Sequence, residues 1–207
     1  MEINHICSLG GLCHTAQFLK RNNVKKCSYP FDWIFSNCEM ITHCLNDKFS
    51  TFLNKTYYTN ISKTQCGHSL YNSVMFNHHN PLMNENDYSY YIRCIDRFNK
   101  LLHNNDKKMF IIMFNNMDNL DNLDNLKDMI IGFNNTLLTY TSNYILVVIY
   151  NIINSQYTSH NIVYDNNIHF IELHTISKSN GVSFDNENDN IYLDKCIMAN
   201  YKFNIIT

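Results

Sequence analysis

Three short runs of apolar residues in the second half of the chain constrain the fold more than any other feature. They occupy residues 109–114 (MFIIMF), 144–150 (YILVVIY) and 168–173 (IHFIEL). Each run has the length of a strand, and continuous apolar residues are typical of strands that are buried on both faces. Helical patterns are present at residues 123–140 and 189–199. The sequence therefore predicts an α/β fold of three layers, in which helices flank a mainly parallel central sheet.

The first half of the chain is less regular. The run at residues 3–8 predicts a fourth core strand, and apolar residues at helical spacing predict helices over 37–47 and 87–103. We expect a short strand at residues 73–76 and irregular structure over the polar stretch 54–72. No linker rich in Pro, Gly or Ser interrupts the chain, so residues 1–207 are predicted to form a single α/β domain.

Charge and cysteine usage limit the partners and the cellular location that we expect. The net charge is −2 and the basic residues do not cluster, so we expect no nucleic-acid partner. No apolar run approaches the roughly 18 residues of a membrane span, and we expect no signal peptide. The eight cysteines are scattered without a C-x-x-C pair or zinc-site spacing. We therefore expect no metal, no cofactor, no disulfide framework and a reducing, cytoplasmic location.

Asparagine is unusually common for a folded domain, while the chain has only 2 prolines and 5 glycines. Asn, Ile, Lys and Tyr have AT-rich codons, so this composition indicates an AT-rich genome. Such genomes are typical of some large DNA viruses and some parasites. A viral protein of this kind would act in the host cytoplasm.

A cysteine follows a glycine pair at the end of the first predicted strand. Gly10 and Gly11 allow a sharp turn, and an amphipathic helix begins near Cys13. The unpaired N–H groups and the positive dipole end of a helix N-terminus favour the nucleophilic thiolate. A substrate carbonyl would approach the glycines, whose N–H groups would form an oxyanion hole. The alternative is that Cys13 is a small buried apolar residue without chemistry.

A nucleophilic cysteine needs a base, usually a histidine, and a group that orients this base. The chain offers His78 or His79 as the base and Asp32 as the orienting group. The histidines and Asp32 can each also have a structural role without catalysis. The two histidines can belong to a plain polar loop, and Asp32 can be a buried carboxylate that holds its own loop through backbone N–H groups.

The segment at residues 8–37 resembles the opening of a family of putative papain-like cysteine peptidases, whose pattern is S-L-G-x-x-C-x-x-A followed by S-x-P-F-D-W. The matching residues are Ser8, Leu9, Gly10, Cys13, Ala16, Ser28, Pro30, Phe31, Asp32 and Trp33. The family's F-x-H element is matched by Phe76 and His78, and its Arg-rich helix by Arg93 and Arg97. The resemblance covers residues 3–150, with Cys94 at one arginine position and His79 at a position that is often acidic.

The resemblance implies a cysteine-dependent hydrolase of the peptidase type, acting on an amide or ester bond of a peptide, ester or glycan-type substrate. An acyltransferase that uses the same nucleophile is the other enzymatic alternative. Cys13 would be the nucleophile, His78 the base and Asp32 the orienting group. The choice of His78 over His79 also follows from the strand pattern, because Phe76 and His78 share one face of an extended segment. The predicted parallel sheet differs from the papain architecture and suits a lipase-like or esterase-like layout better.

Arg93 and Arg97 lie four residues apart, on one face of a predicted helix. They would bind a carboxylate or phosphate of the substrate, or alternatively form a solvated face that pairs with neighbouring acids such as Asp96. Two non-enzymatic functions also stay open. The protein is then either a ligand-binding module that uses the same pocket or a viral protein that interacts with the host through exposed Tyr and Asn side chains.

Overall fold

A computed structural model describes residues 2–118 and 123–205 of the chain. Its strands are β1 (Glu2–Ile3), β2 (His5–Ser8), β3 (Tyr58–Ser62), β4 (Gln65–His68), β5 (Asn72–Phe76), β6 (Lys108–Met117), β7 (Tyr144–Ile152), β8 (Ser159–Asp165), β9 (Ile168–His174) and β10 (Lys202–Phe203). Its α-helices are α1 (His14–Arg21), α2 (Cys38–Asn46), α3 (Glu85–His103), α4 (Leu123–Tyr140) and α5 (Glu187–Asn200). A short 3₁₀ turn covers Lys55–Tyr57.

The central sheet has five strands in the order β2-β6-β7-β9-β8. β2, β6, β7 and β9 are parallel, and β8 is an antiparallel edge strand. All nine residues of β7 are buried, as expected for a strand covered by helices on both faces. The predicted strands in the second half of the chain are confirmed. The predicted strand at residues 3–8 is divided, and only β2 joins this sheet, while β1 pairs with β10.

Helices cover both faces of the sheet, which confirms the predicted three-layer α/β fold. One apolar cluster joins α1 and α5 to one face, through residues such as Phe18, Leu193 and Val147. A larger cluster joins α2, α3 and α4 to the other face. No helix within the described ranges combines the length and the apolar character that crossing a membrane requires.

A second sheet of three antiparallel strands, β3-β4-β5, lies beside the larger apolar cluster. The prediction of irregular structure over residues 54–72 is therefore wrong. Only Tyr58 of β3 and Met75 and Phe76 of β5 are buried, so neither strand shows a clear alternation of apolar and polar residues. The inner face contributes Tyr58 and Phe76, whose rings contact each other at a centroid distance of 5.3 Å. The Phe76 ring also contacts the rings of Phe52 and Tyr91, at centroid distances of 5.6 Å and 4.8 Å. The small sheet therefore packs against the main core.

Replacing Ile149 of β7 by Ala should lower the free energy of unfolding by about 3 kcal/mol, because a cavity between two covering layers cannot collapse. Ile149 is 1% exposed. The matched change Val163→Ala on β8, where the side chain is 43% exposed, should cost less than about 0.5 kcal/mol. Urea denaturation followed by circular dichroism measures both values. Equal losses would contradict the central position of β7.

Candidate active site

The glycine pair after β2 forms a turn that lies directly on β6. Gly10 and Gly11 have φ values of +82° and +92°, a region that favours glycine. A Cβ atom on Gly11 would lie 2.2 Å from the carbonyl oxygen of Met113, and one on Gly10 would lie 2.0 Å from Ser36 Oγ. Both glycines are therefore required by conformation and by space. The turn delivers the chain to the start of α1 at the carboxyl edge of the sheet.

The N–H groups of this turn already have acceptors within the protein. Gly10 N–H donates to Ser8 Oγ at 3.1 Å, and Gly11 N–H donates to Ser36 Oγ at 3.3 Å. Ser36 in turn donates to the carbonyl oxygen of Leu9 at 2.9 Å. The oxyanion hole predicted at Gly10 and Gly11 is thus filled by hydroxyl groups. Sequence reasoning missed Ser36, whose partners are far away along the chain.

Cys13 is the N-cap residue of α1, and its carbonyl oxygen accepts from Gln17 N–H at 2.9 Å. Its side chain is mostly covered, with 7% of the residue exposed. Its Sγ atom lies 3.5 Å from Nε2 of His78, within the range of a hydrogen bond to sulfur. The structure thus brings together the two residues that the sequence suggested as nucleophile and base.

His78 and His79 point to different parts of the molecule. His78 is exposed and faces Cys13, whereas His79 is half-buried. The His79 ring stacks on Tyr90 at a centroid distance of 4.6 Å, and its Nδ1 lies 3.3 Å from the hydroxyl of Tyr91. β5, which precedes both histidines, belongs to the small antiparallel sheet. His78 therefore reaches Cys13 from a different sheet, not from a neighbouring parallel strand.

A buried asparagine fixes the loop that carries His78. Asn80 is fully buried, and its side-chain N–H groups donate to Asn60 Oδ1 at 2.8 Å and to the Ser62 carbonyl at 2.6 Å. Its backbone N–H donates to Asp87 Oδ2 at 2.8 Å. These bonds tie the loop to β3 and to the first turn of α3. In the sequence, the only sign of this role for Asn80 is the Asn-Pro pair at residues 80–81, which is typical of a turn.

Burial, and to a lesser extent the negative charge of Asp32, raise the pKa of the Cys13 thiol to about 11, while the backbone N–H of Cys13 itself acts in the opposite direction. At that pKa, only about one thiol in ten thousand is ionised at neutral pH. The helix N-terminus does not by itself produce a resting thiolate here. A nucleophile at this position requires a base that removes the proton during attack.

Asp32 lies in a buried ion pair rather than beside His78. The residue is 1% exposed, and its Oδ2 atom accepts hydrogen bonds from Lys25 Nζ and, at 2.9 Å, from Tyr29 N–H. Burial raises the pKa of the Asp32 carboxyl, and the nearby Lys25 opposes this shift. Among the described residues, none makes a hydrogen bond to Nδ1 of His78. This geometry matches the alternative role of Asp32, which is to hold its own loop, and sequence reasoning missed Lys25 as its partner.

The two arginines of α3 differ in their surroundings. Arg93 is exposed, and Arg97 donates from Nη1 to the carbonyl oxygen of Ser28. Arg97 lines a cavity near the start of β2, whereas Cys13 follows the end of that strand. The contact of these arginines with a substrate stays a prediction. Within residues 2–118 and 123–205, no three His, Cys, Asp or Glu side chains are grouped as metal ligands would be.

A cavity of about 520 Å³ lies beside the glycine turn, between α2 and the β4–β5 hairpin. Its lining is partly polar and partly apolar and consists of Gly11, Phe35, Ser36, Asn37, Glu39, Met40, Thr42, His43, Asn46, Leu70, Tyr71 and Asn72. Neither Cys13 nor His78 lines it. The cavity nevertheless borders the turn that leads into Cys13.

The fold and the site define a three-layer α/β protein with a cysteine–histidine pair at the carboxyl edge of its sheet. A family model described as "Putative papain-like cysteine peptidase (DUF1796)" matches residues 4–156, and the chain belongs to this family. The match includes Cys13 and His78 but ends before β8, β9 and α5. Comparison with curated proteins and with solved structures gave no significant match.

Removing one partner of the Lys25–Asp32 pair should destabilise the protein by about 3 kcal/mol or more, because the other charge stays buried. Asp32→Asn and Lys25→Met test this by urea denaturation. The loss of unfolding free energy in the double variant should be clearly smaller than the sum of the losses in the two single variants. Lys100→Met is the control, since its pair with Asp96 is exposed and should contribute less than about 0.5 kcal/mol. If Asp32 instead orients His78, Asp32→Asn would leave stability nearly unchanged and slow the alkylation of Cys13.

Proposed function

We propose that this protein is a cysteine-dependent hydrolase of the peptidase type, with Cys13 as the nucleophile and His78 as the general base. The observation that carries the proposal is the 3.5 Å separation between Cys13 Sγ and His78 Nε2. Membership of the family described as "Putative papain-like cysteine peptidase" supports the same chemistry. The bond that is cleaved is an amide or an ester, which a thiol can attack at its carbonyl carbon.

The high pKa of Cys13 determines how the reaction proceeds. His78 takes the proton from Sγ while the sulfur attacks the carbonyl carbon, so a free thiolate need not accumulate. The resulting imidazolium returns this proton to the leaving amine or alcohol, and a thioester with Cys13 remains. His78 then removes a proton from water, which hydrolyses the thioester and restores the thiol. General base catalysis contributes about 10² to 10⁴ in rate.

The oxyanion needs donors other than the two glycines, because their N–H groups are bound to Ser8 and Ser36. The backbone N–H of Cys13 lies close enough to the thiol to lower its pKa. The N–H groups in the first turn of α1 have no acceptor within the helix. We assign the oxyanion contact to these groups, and the substrate chain to the cavity that borders Gly11.

Asp32 contributes in two ways under this proposal. Through Lys25 it holds the loop that leads to Ser36, and its charge disfavours a resting thiolate at Cys13. A thiol that stays protonated until a substrate arrives is less exposed to oxidation. All eight cysteines are free, which suits a reducing compartment, and the proposal therefore includes a cytoplasmic location. The Asn-rich composition supports a virus with an AT-rich genome as the source.

A second candidate is a binding module that uses the same pocket without catalysis. Two observations favour it, namely the high pKa of Cys13 and the engaged N–H groups of Gly10 and Gly11. A binding module would keep its affinity for the ligand after Cys13→Ala. A hydrolase would bind its substrate but no longer turn it over.

Alkylation by iodoacetamide at pH 7, followed by peptide mapping, should modify Cys13 faster than the other seven cysteines. Because His78 removes the thiol proton, His78→Ala should slow the modification of Cys13 by about tenfold or more. His79→Ala is the matched control and should retain most of the rate, since its ring faces Tyr90 and Tyr91. Preferential alkylation of another cysteine, or equal effects of both histidine variants, would contradict the proposal.

A further inference from the structure

A second cavity, of about 510 Å³, lies at the end of β2 opposite to Cys13. Its lining includes His5 and Ile6 of β2, Lys26 and Tyr29 from the loop after α1, and Arg97 and Lys100 of α3. His5 is the first residue of β2, and Cys13 lies beyond its last. The cavity and the cysteine–histidine pair therefore lie toward opposite ends of β2. The mechanism proposed above makes no use of it.

The charges that line this cavity are all of one sign. Lys26, Arg97 and Lys100 carry positive charges, and no Asp or Glu belongs to the lining. Lys100 is paired with Asp96 on its exposed side, and His5 contacts Asp106 at 3.3 Å, so both of these acids lie outside the cavity. The cavity thus presents more positive charge than its own walls neutralise.

Arg97 is the residue best placed to bind an anion there. Its guanidinium is half-buried, and its Nη1 atom donates to a neutral partner, the carbonyl oxygen of Ser28. No carboxylate of the described residues lies within ion-pair distance of Arg97 or Lys26. The nearest buried acid is Asp32, whose carboxyl pKa Arg97 helps to lower but whose direct partner is Lys25. The hydrogen bond to Ser28 fixes the guanidinium and leaves its other N–H groups available.

The remaining walls are apolar. Ile6, Val24, Leu101 and Ile205 form them, together with the ring of Tyr29. A planar guanidinium binds carboxylates and phosphates through paired hydrogen bonds. We propose that this cavity binds a small organic anion, whose carboxylate or phosphate head contacts Arg97 and Lys26 and whose apolar body packs against Ile6 and Leu101. The site is independent of the reaction at Cys13.

Isothermal titration calorimetry with phenyl phosphate, phenylacetate and inorganic phosphate tests the proposal on the full chain. Phenyl phosphate should bind, and inorganic phosphate should bind more weakly because it lacks the apolar body. The phenylacetate arm distinguishes a phosphate from a carboxylate head. Arg97→Gln should weaken binding by about tenfold or more. Lys26→Gln should weaken it by about fivefold and does not disturb the bond to Ser28.

Three controls keep the test decisive. Arg97→Lys preserves the charge but not the paired geometry, so its affinity should lie between that of the unaltered protein and that of the Arg97→Gln variant. Lys63→Gln, in the turn between β3 and β4, should bind as the unaltered protein does, and so should Cys13→Ala. The proposal is overturned if neither organic anion binds, if Arg97→Lys and Lys26→Gln bind as tightly as the unaltered protein, or if Cys13→Ala abolishes binding.

Discussion

The close contact between the Gly10–Gly11 turn and β6 is the constraint on which the site depends. A Cβ atom at Gly11 would collide with a carbonyl oxygen of β6, so only glycine lets the chain turn this closely after β2. The turn sets the start of α1 and thereby the position of Cys13. Its N–H groups are held by the hydroxyls of Ser8 and Ser36, which join the turn to β2 and to the loop before α2. The nucleophile is thus positioned by backbone geometry and His78 by the separate small sheet.

The parts of the fold that could be predicted are those whose information is local. Buried strands such as β7 are continuous apolar runs, and the helices repeat apolar residues at their own period. In the small sheet, β5 was predicted as a short strand at residues 73–76, which the structure confirms. β3 and β4 were not predicted, because most residues of β3 are exposed and β4 has only four residues. The edge strand β8 was missed for a similar reason, since most of its residues are exposed. Its place beside β9 follows from pairing between backbones, which leaves little trace in residue type.

In the candidate site too, local motifs were predictable from the sequence, whereas contacts between distant segments were not. Cys13 and His78 were suggested by motif, and the structure places them in contact. Lys25 was not suggested as the partner of Asp32, because nothing in its spacing distinguishes a lysine that pairs with a buried acid from one that faces solvent. The spacing of Arg93 and Arg97 indicated a shared helix face, but it did not show that Arg97 lines the cavity near the start of β2, because helical spacing does not reveal which end of the sheet a face covers. One cavity thus borders the glycine turn that leads into Cys13, and another presents positive charge near the start of β2.

The central claim is that Cys13 and His78 act as one chemical unit although the resting thiol is protonated. The most direct measurement is the reaction with p-nitrophenyl acetate, followed both by release of p-nitrophenolate and by intact-mass spectrometry with peptide mapping. The account predicts a stoichiometric burst of p-nitrophenolate with an acetyl thioester on Cys13, and loss of this burst in both Cys13→Ala and His78→Ala. An acetyl group on another residue, or a burst that persists in either variant, would contradict it.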